Sequence, residues 1–574
     1  MAATAGDAKL GLALSGGGHR AAFFHIGVLA KLAEHGLLRR IEVISTVSGG
    51  SIVGALYYLH VKNLLEDRPD EAITDGDYVR LVRDVEREYR RGAASNIRGS
   101  GWVNPIKNLK MATPSYSRTD RVGELYERRF YADAWCGRPR RRGRIAMRDL
   151  LIHPCGFEGP FDPDTQNADR HARVPVLLLE ATTLNTGHNW RFEAAYMGEP
   201  PRQGSPDEST REDIDKNVVL ERTAWDRLPA SCRDFPLGAA VAASACFPGG
   251  FPPMQLPGLF DDVVVELVDG GVHDNQGIEG LVDRGCTHMV ISDGSGQMPD
   301  RARPSTRMPA VLTRVISIYG DAEREQRLLG ALAHPDSVAF MHLQTGLPAH
   351  TRAPRNDAVE QSAGLQTAEF GVRLEMQRAL ANVRTDLDAF CDLEASSLMA
   401  DGYLLAGQIV QRRPGIAGLG SEHAPAGWAF DSLIPELGRD GPNPDLLKVL
   451  RVAKQRFLKP ARMTAGGTTF ATIAAVVALV AATIGLWLVL GSHATVLFTA
   501  GLVTVGCLGL YFTSDKPYVK PVAVVLFDVL TPALLAVPLV ALAALQLVSG
   551  RRWRALGAMR EPQWSHETVT GEVG

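Results

Sequence analysis

The sequence predicts an α/β fold in which a mostly parallel sheet is flanked by helices and followed by a C-terminal helical transmembrane region. Two occurrences of one pattern predict the sheet, because a strand-like run, a glycine turn and a helical run follow one another twice within the first 65 residues. Strands that alternate with helices in this way build parallel sheets through crossover connections. A third observation predicts the membrane region, because long uncharged segments fill much of the last sixth of the chain.

The repeated unit can be followed residue by residue. Residues 9–15 and 40–47 are short apolar runs typical of strands, and residues 21–38 and 50–65 have helical spacing of their apolar side chains. Further strand-like runs cover residues 174–187 and 288–296, and a helical pattern with breaks covers 366–411. We therefore expect one α/β domain over residues 8–412.

Basic segments interrupt and follow this domain. Residues 85–148 are rich in arginine and weak in periodicity, which predicts either a solvated insertion or a cationic lid that faces anionic lipid headgroups. Residues 413–463 predict a Pro/Gly-rich linker and then a basic juxtamembrane helix that lies along a membrane. Residues 551–574 form a basic and then polar tail.

The predicted transmembrane region covers residues 466–550. Its hydrophobic segments are residues 468–490, 494–512 and 522–548, and prolines and an aspartate interrupt the third. Basic residues flank both ends of the region, so the positive-inside rule places both flanks in the cytoplasm. This favours two crossings with a re-entrant or interfacial third segment, although three full crossings stay open. We expect an integral membrane protein with its α/β domain on the cytoplasmic side.

Composition excludes few classes of protein. The net charge of −3 and the pI of about 6.6 indicate no nucleic-acid partner. The amino terminus has no pattern of a secretory signal. Seven scattered cysteines without a C-x-x-C pair predict a reducing compartment and no structural zinc; they are Cys136, Cys155, Cys232, Cys246, Cys286, Cys391 and Cys507.

The first glycine turn, "SGGGHR" at residues 15–20, joins a strand to a helix. Successive glycines let backbone amides point outward at a helix N-terminus, where they stabilise an anion. The anion could be the oxyanion of an acyl-transfer intermediate or a nucleotide phosphate, and a simple tight turn is a third possibility. A dinucleotide site would need an acidic residue at the end of the next strand, whereas Glu42 lies inside that strand.

The second turn, "TVSGGS", places Ser48 where a nucleophile elbow would place it. Gly49 and Gly50 permit the strand-to-helix bend, while Thr46 occupies the place where the usual motif has its first glycine. A third stretch, "ELVDGGVHDNQG", presents Asp269 directly after a strand-like run. That carboxylate could accept the proton of Ser48, if the fold brings the two within hydrogen-bond reach. A structural role in turns is the alternative for both residues.

Taken together in this order, "GGGHR", "VSGGS", "ASACFPGGFPP" and "DGGVHDNQG" resemble the patatin-like phospholipases, and the resemblance covers roughly residues 10–411. This is a family of serine lipid acyl hydrolases with a Ser/Asp dyad. The stretches "LLLEATTLNTGHNWRF" and "RTDLDAFCDLEASSLM" are similar to bacterial members of the family.

The resemblance implies a role for each matching residue. Ser48 would be the nucleophile and Asp269 its base, and the amides of Gly16, Gly17 and Gly18 would form the oxyanion hole. The resemblance implies supporting roles for Arg20, Gly49, Gly50, Gly270 and Gly271, and it implies no metal and no cofactor. Of the nearby histidines, His25 is expected to be packed in a helix, and His19 and His273 are expected in turns, so a dyad is favoured over a triad.

The expected function is that of a membrane-anchored phospholipase A-type hydrolase that acts on membrane phospholipids within the bilayer. A catalytically weak membrane scaffold or lipid-binding protein on the same fold is the alternative, and it is favoured if Thr46 misaligns Ser48. The sequence does not indicate an oligomeric state, a headgroup preference or a cleaved acyl position.

Overall fold

A computed structural model describes residues 8–101, 104–111, 116–135, 138, 143–201, 215–348, 366–456, 459–463 and 551–558. Within these residues the chain forms a ten-stranded sheet with helices on both faces. The strands are β1 Leu10–Leu14, β2 Ile41–Val47, β3 Val176–Thr183, β4 Asn189–Phe192, β5 Tyr196–Gly198, β6 Thr223–Ala224, β7 Met254–Leu256, β8 Val265–Asp269, β9 His288–Asp293 and β10 Val338–His342.

The helices that bear on the site are the longer ones. Numbered in chain order, the described α-helices are α1 Gly18–Glu34, α2 Gly49–Asp67, α3 Asp75–Ala93, α4 Ile97–Ser100, α5 Pro105–Lys110, α6 Arg118–Tyr126, α7 Pro163–Gln166, α8 Leu237–Ser244, α9 Ile278–Asp283, α10 Met308–Ala331, α11 Leu374–Ala381, α12 Asp392–Gln411, α13 Pro414–Ala417, α14 Ile434–Gly438, α15 Pro444–Ala453 and α16 Lys459–Arg462. The predicted strand–turn–helix units at the amino terminus are confirmed as β1–α1 and β2–α2.

The sheet is mixed, which corrects the prediction of a mostly parallel sheet. Strands β10, β9, β1, β2 and β3 lie side by side and are parallel. From β3 onward the pairs β3–β4, β4–β5, β5–β6, β3–β8 and β7–β8 are antiparallel. Short turns join β3 to β4 and β4 to β5, and a short turn can join only antiparallel neighbours.

Two hydrophobic cores cover the two faces of the sheet. The larger core is built by α1, α2 and α12, and the smaller core lies under α9 and the C-terminal end of α10. Helices α1 and α12 approach closely, because a Cβ atom at Gly27 would overlap the carbonyl of Met399, and one at Gly402 would overlap the carbonyl of Phe24. Glycine therefore allows the two backbones to meet directly.

Residues 85–148, expected as a basic insertion or lid, build part of the core where they are described. Buried aromatic side chains of this segment are Tyr89, Tyr126, Phe130, Tyr131 and Trp135. Its arginines pair with carboxylates, for example Arg90 with Glu86 and Arg98 with Asp386. A solvated insertion would need neither kind of contact, so this segment is an integral part of the domain. The role of a cationic lid stays a prediction.

Residues 413–463, expected as a linker and a juxtamembrane helix, also pack on the domain. Ile416, Trp428 and Phe430 are buried in the larger core, and the Trp428 indole N–H donates to Glu34 at 2.8 Å. The Pro/Gly-rich composition suggested a linker, but the aromatic and aliphatic residues between the prolines and glycines decide the packing. The domain therefore extends beyond the predicted boundary at residue 412.

Helix α15 turns its apolar side chains toward the protein rather than toward a membrane. Leu446, Leu450 and Ala453 are buried, and α11 and α12 are the neighbours of the helix. Trp553, in the predicted tail, is buried as well, and its indole N–H donates to Glu394 at 2.6 Å. Both the expected juxtamembrane helix and the beginning of the tail thus belong to the folded domain.

The predicted transmembrane region 466–550 lies outside the described residues. Of the helices that are described, none combines the length and the apolar composition that a membrane crossing requires. The two borders of the region lie close together, since the Lys459 ammonium nitrogen stands 5.3 Å from the ring centroid of Trp553.

Candidate active site

Ser48 sits in a strained turn between β2 and α2. Its φ of 51° and ψ of −112° lie in a region that side chains disfavour, and it is the one non-glycine residue with positive φ in the described part of the chain. Such strain costs of order 1–3 kcal/mol and concentrates at functional sites. The geometry is that of a nucleophile elbow, which exposes the serine hydroxyl at the end of a strand.

The two glycines after Ser48 let other backbone segments approach the elbow. A Cβ atom at Gly49 would overlap the carbonyl oxygen of Gly18, and one at Gly50 would overlap the carbonyl oxygen of Leu14. The Gly50 amide donates to Ser15 O at 3.1 Å. Both glycines are therefore required for contact between the elbow and the first glycine turn.

Thr46 fits the elbow without distorting it. Its φ is not positive, so glycine is not needed at this position. Its hydroxyl donates to Leu178 O at 2.9 Å, and its methyl group lies over Gly54, where an added Cβ atom would stand 2.5 Å from Thr46 Cγ2. The usual motif has a glycine two residues before the serine. Here Thr46 takes that place, and Gly54 in α2 is the glycine that leaves room for its methyl group.

A chain of hydroxyl groups lies beneath the elbow, and the sequence analysis did not find it. The Ser48 amide donates to Ser244 Oγ at 3.0 Å, Ser244 Oγ lies 2.8 Å from Ser51 Oγ, and Ser51 Oγ lies 3.0 Å from Thr46 Oγ1. Because Thr46 donates to the Leu178 carbonyl, the chain has one consistent donor direction away from Ser48. Ser244 belongs to the quoted "ASACFPGGFPP" stretch, which was the available signal.

Asp269 is the last residue of β8, and the fold brings it to Ser48. Its side chain is buried, Oδ1 accepts the Gly271 amide at 2.8 Å, and the carboxylate lines the same cavity as Ser48, close enough for the serine side chain to affect its pKa. Burial raises the pKa of Asp269 to about 6, although the bonds from Gly271 and Ser48 oppose the rise. A carboxylate with this pKa is ionised at neutral pH and still basic enough to accept a proton.

The predicted oxyanion-hole glycines divide into two groups. The Gly16 amide already donates to Asn275 O at 3.0 Å, so it is not free to bind an oxyanion. Within the described structure, the amides of Gly17 and Gly18 at the start of α1, and that of Gly49 at the start of α2, meet no hydrogen-bond acceptor. Gly17 and Gly18 adopt positive φ values of 136° and 59°, which glycine tolerates.

Asn275 is a further residue of the site, and it packs between the two glycine turns. Its Oδ1 atom occupies the space that a side chain at Gly16 or at Gly271 would take. Gly270 is required for a different reason, because a Cβ atom there would overlap the carbonyl oxygen of Glu180. The glycines after Asp269 therefore let the β8 turn pack against β3 and against the first glycine turn.

Arg20 was expected to support the site, and its hydrogen bonds go to segments other than the first glycine turn. Its guanidinium donates to Gly294 O at 3.1 Å and Val383 O at 2.8 Å, and it also bonds Ser295 O. It makes no described hydrogen bond to the glycine turn itself. Since Gly294 O lies near Gly17, Arg20 positions the segment after β9 against that turn.

None of the three nearby histidines bonds to Ser48 or Asp269 within the described structure. His25 is packed as predicted, with Nδ1 2.7 Å from Ser292 Oγ. His19 is not in a turn: it is buried in the first turn of α1, and burial lowers its pKa to about 3. His273 lines the cavity and is held by Glu279, whose carboxylate lies 2.8 Å from Nε2.

A cavity of about 940 Å³ lies over these groups. Ser48, Asp269, Gly17 and Gly18 line it, together with the inner face of α10 and several arginines. Among the described residues no group of three or more His, Cys, Asp or Glu side chains is placed to hold a metal ion. The predicted absence of a cofactor stays a prediction.

Residues 12–282 match the family model of patatin-like phospholipases. The part of the chain from β1 into α9 is therefore similar to a patatin-like phospholipase domain. The match includes both Ser48 and Asp269, and it is shorter than the expected range of residues 10–411.

No curated protein matches the chain. Among solved structures, human GIVD cytosolic phospholipase A2 is similar to it with 14% sequence identity and a TM-score of 0.31. The alignment covers 72% of this chain and 60% of that chain, so this chain spans less than two thirds of that protein's length. The predicted bacterial type of the domain stays a prediction.

Proposed function

We propose that the chain hydrolyses fatty-acyl esters of phospholipids as a serine hydrolase of the phospholipase A type. The observation that supports this most directly is the pairing of Ser48, held at positive φ, with the buried carboxylate of Asp269. A serine in an ordinary turn needs neither a strained backbone nor a buried acidic partner. The family match of residues 12–282 gives independent support for the class of reaction.

In the acylation step, Ser48 Oγ attacks the ester carbonyl carbon while the Asp269 carboxylate accepts the hydroxyl proton. The carbonyl oxygen becomes an oxyanion, which the free amides of Gly17, Gly18 and Gly49 are placed to bind. One such donor contributes about 2.7–4 kcal/mol in a serine hydrolase. The protonated Asp269 then gives its proton to the departing lysophospholipid alkoxide.

In the deacylation step, a water molecule replaces the leaving group and attacks the acyl-enzyme. Asp269 accepts the proton of that water and returns it to Ser48 as the fatty acid departs. No histidine is needed, because the same carboxylate acts in both half-reactions.

Phospholipid is the preferred substrate for two reasons. Arginine side chains line the cavity, among them Arg301 and Arg314, and a guanidinium complements a phosphate headgroup. The predicted membrane region would also keep phospholipid at the site.

The test is fatty-acid release from mixed phospholipid vesicles by detergent-purified full-length protein, beside Ser48→Ala and Asp269→Ala. We expect release by the wild type only, and labelling of the wild type but not of Ser48→Ala by a fluorophosphonate. Release by Ser48→Ala would contradict the proposal. A folded wild type that neither releases fatty acid nor reacts with the probe would favour the scaffold alternative. That alternative assumed that Thr46 misaligns Ser48, and the way Thr46 fits the elbow does not support it.

A further inference from the structure

Helix α10 is amphipathic, but its polar face points into the domain and its apolar face points to solvent. Its polar and small side chains face inward and line the catalytic cavity, and they include Arg314, Ser317 and Arg324. At about 100° per residue these positions fall on one face of the helix. The inner wall of the cavity is therefore the polar face of α10.

The opposite face of α10 is apolar and exposed. Met308, Leu312, Ile316 and Tyr319 are 79%, 62%, 64% and 74% exposed, and their spacing forms one stripe along the helix. Helices of soluble domains normally turn such a stripe inward, and a contiguous exposed patch marks an interaction surface. The helix meets the smaller core mainly at its C-terminal end, through Leu328.

More exposed apolar side chains lie at the same cavity. Phe247 and Val272 both line it and are 65% and 53% exposed. The cavity that holds Ser48 and Asp269 thus has exposed apolar side chains of its own, which suits the acyl chains of a lipid.

The segment before α10 adds positive charge to the same end of the helix. Arg301, Arg303 and Arg307 are exposed, and Asp300 is the single acidic residue among residues 300–308. Basic residues near a bilayer attract anionic headgroups by about 1 kcal/mol each. An apolar stripe with a basic end is typical of helices that lie in the plane of a membrane interface.

We propose that the outer face of α10 docks on an anionic phospholipid bilayer. Met308, Leu312, Ile316 and Tyr319 enter the boundary between headgroups and acyl chains, while the arginines before the helix contact the headgroups. The opposite face of the same helix is a wall of the cavity that Ser48 and Asp269 also line, so docking brings this cavity to the lipid surface. Hydrolysis of the docked lipid rests on the proposed function, whereas the docking itself does not.

Docking can be measured separately from activity. In the full-length protein reconstituted into vesicles, Leu312→Cys, Tyr319→Cys and Glu325→Cys are each labelled with an environment-sensitive fluorophore, with labelled wild type as the background. Glu325 is exposed on the same helix outside the apolar stripe. The vesicles contain phosphatidylcholine and phosphatidylglycerol, with or without brominated phosphatidylcholine as a quencher.

We expect bromolipid to quench the probes at 312 and 319 and to leave the probe at 325 unchanged. Absence of quenching at 312 and 319 would overturn the proposal. A blue shift without lipid quenching would also overturn it, because it would mean that a second copy or another segment of the chain covers the helix.

Activity gives the second measurement. Leu312→Glu combined with Ile316→Glu should lower fatty-acid release from these vesicles by about tenfold or more, because two apolar side chains no longer enter the lipid. Hydrolysis of a water-soluble short-chain ester should not change, and Glu325→Gln should change neither activity. Unchanged release from vesicles would contradict docking through α10. If the wild type hydrolyses neither substrate, the proposed function fails and the quenching result still decides the docking.

Discussion

Replacing Asp269 by asparagine should stabilise the fold and remove the activity. The pKa of Asp269 is raised from 3.8 to about 6 in the folded protein, mainly by burial. A raised carboxyl pKa means that the proton stabilises the folded state, and that this stabilisation is lost as the pH rises through 6. At about pH 8 the side chain is ionised. It then lowers the free energy of unfolding by roughly 3 kcal/mol compared with an aspartate whose pKa is the same in the folded and the unfolded protein.

The pH dependence of this difference can be worked out. Asparagine does not titrate, and its amide can keep the bond from the Gly271 amide. The gain in the free energy of unfolding of Asp269→Asn should therefore grow with pH. About half of the ~3 kcal/mol is already present at pH 5, and the gain rises by about 1.5 kcal/mol between pH 5 and pH 8. Other titrating groups cancel in the comparison with the wild type.

Urea unfolding followed by tryptophan fluorescence measures this gain at both pH values in detergent-solubilised full-length protein. Esterase activity should fall by about a hundred- to ten-thousand-fold, as expected when a general base is removed. In the wild type, kcat/KM should fall as the pH drops below about 6, because Asp269 becomes protonated.

A matched control is available in α12. Asp401 is buried, accepts a bond from Gln377 at 3.2 Å and has its pKa raised to about 7, but it does not line the cavity. Asp401→Asn should stabilise the fold in the same direction and leave activity unchanged. If Asp269→Asn gains no stability at pH 8, or keeps wild-type activity, the assignment of a desolvated base is wrong.

Three other substitutions test the geometry of the elbow. Ser48→Gly should be more stable than Ser48→Ala by about 1 kcal/mol in urea unfolding, because glycine relieves the positive φ while both variants lack the nucleophile; equal stability would mean that the elbow is not strained. Gly54→Ala should destabilise the fold by about 1–3 kcal/mol through its contact with the Thr46 methyl group, and Thr46→Ser in the same chain should restore most of the loss; additive effects would refute that contact. Ser244→Ala should slow fluorophosphonate labelling of Ser48 by about tenfold, because it leaves the partly buried Ser48 amide without its acceptor, while Ser244→Thr should retain the rate; an unchanged rate in Ser244→Ala would exclude a positioning role.

Local sequence patterns were sufficient for the first two strand–helix units of the fold. The strand–glycine–helix units gave β1–α1 and β2–α2 because apolar periodicity and glycine turns act within a few residues. They also located Ser48 and Asp269 at the ends of strands. Patterns of this range could not show that β3 to β8 pair with one another antiparallel, since strand pairing depends on which elements meet in space.

The larger errors have the same cause. Residues 413–463 have the composition of a linker and a membrane-surface helix, and only the tertiary structure offers the core that buries Trp428 and Leu450. The same reasoning applies to the arginines of residues 85–148, because their carboxylate partners include Asp386, far along the chain.

The sequence by itself determined the order of the motifs, the position of Ser48 between a strand and two glycines, and a carboxylate at the end of a later strand. Only the tertiary structure decided that Asp269 is buried beside Ser48, that the Gly16 amide is already occupied, that Ser244 supports the elbow, and that α10 turns an apolar face outward. The residue types of a motif and the local preferences of the backbone depend on residues that are neighbours in the sequence. Desolvation, hydrogen-bond occupancy and exposure depend on residues that only folding brings together.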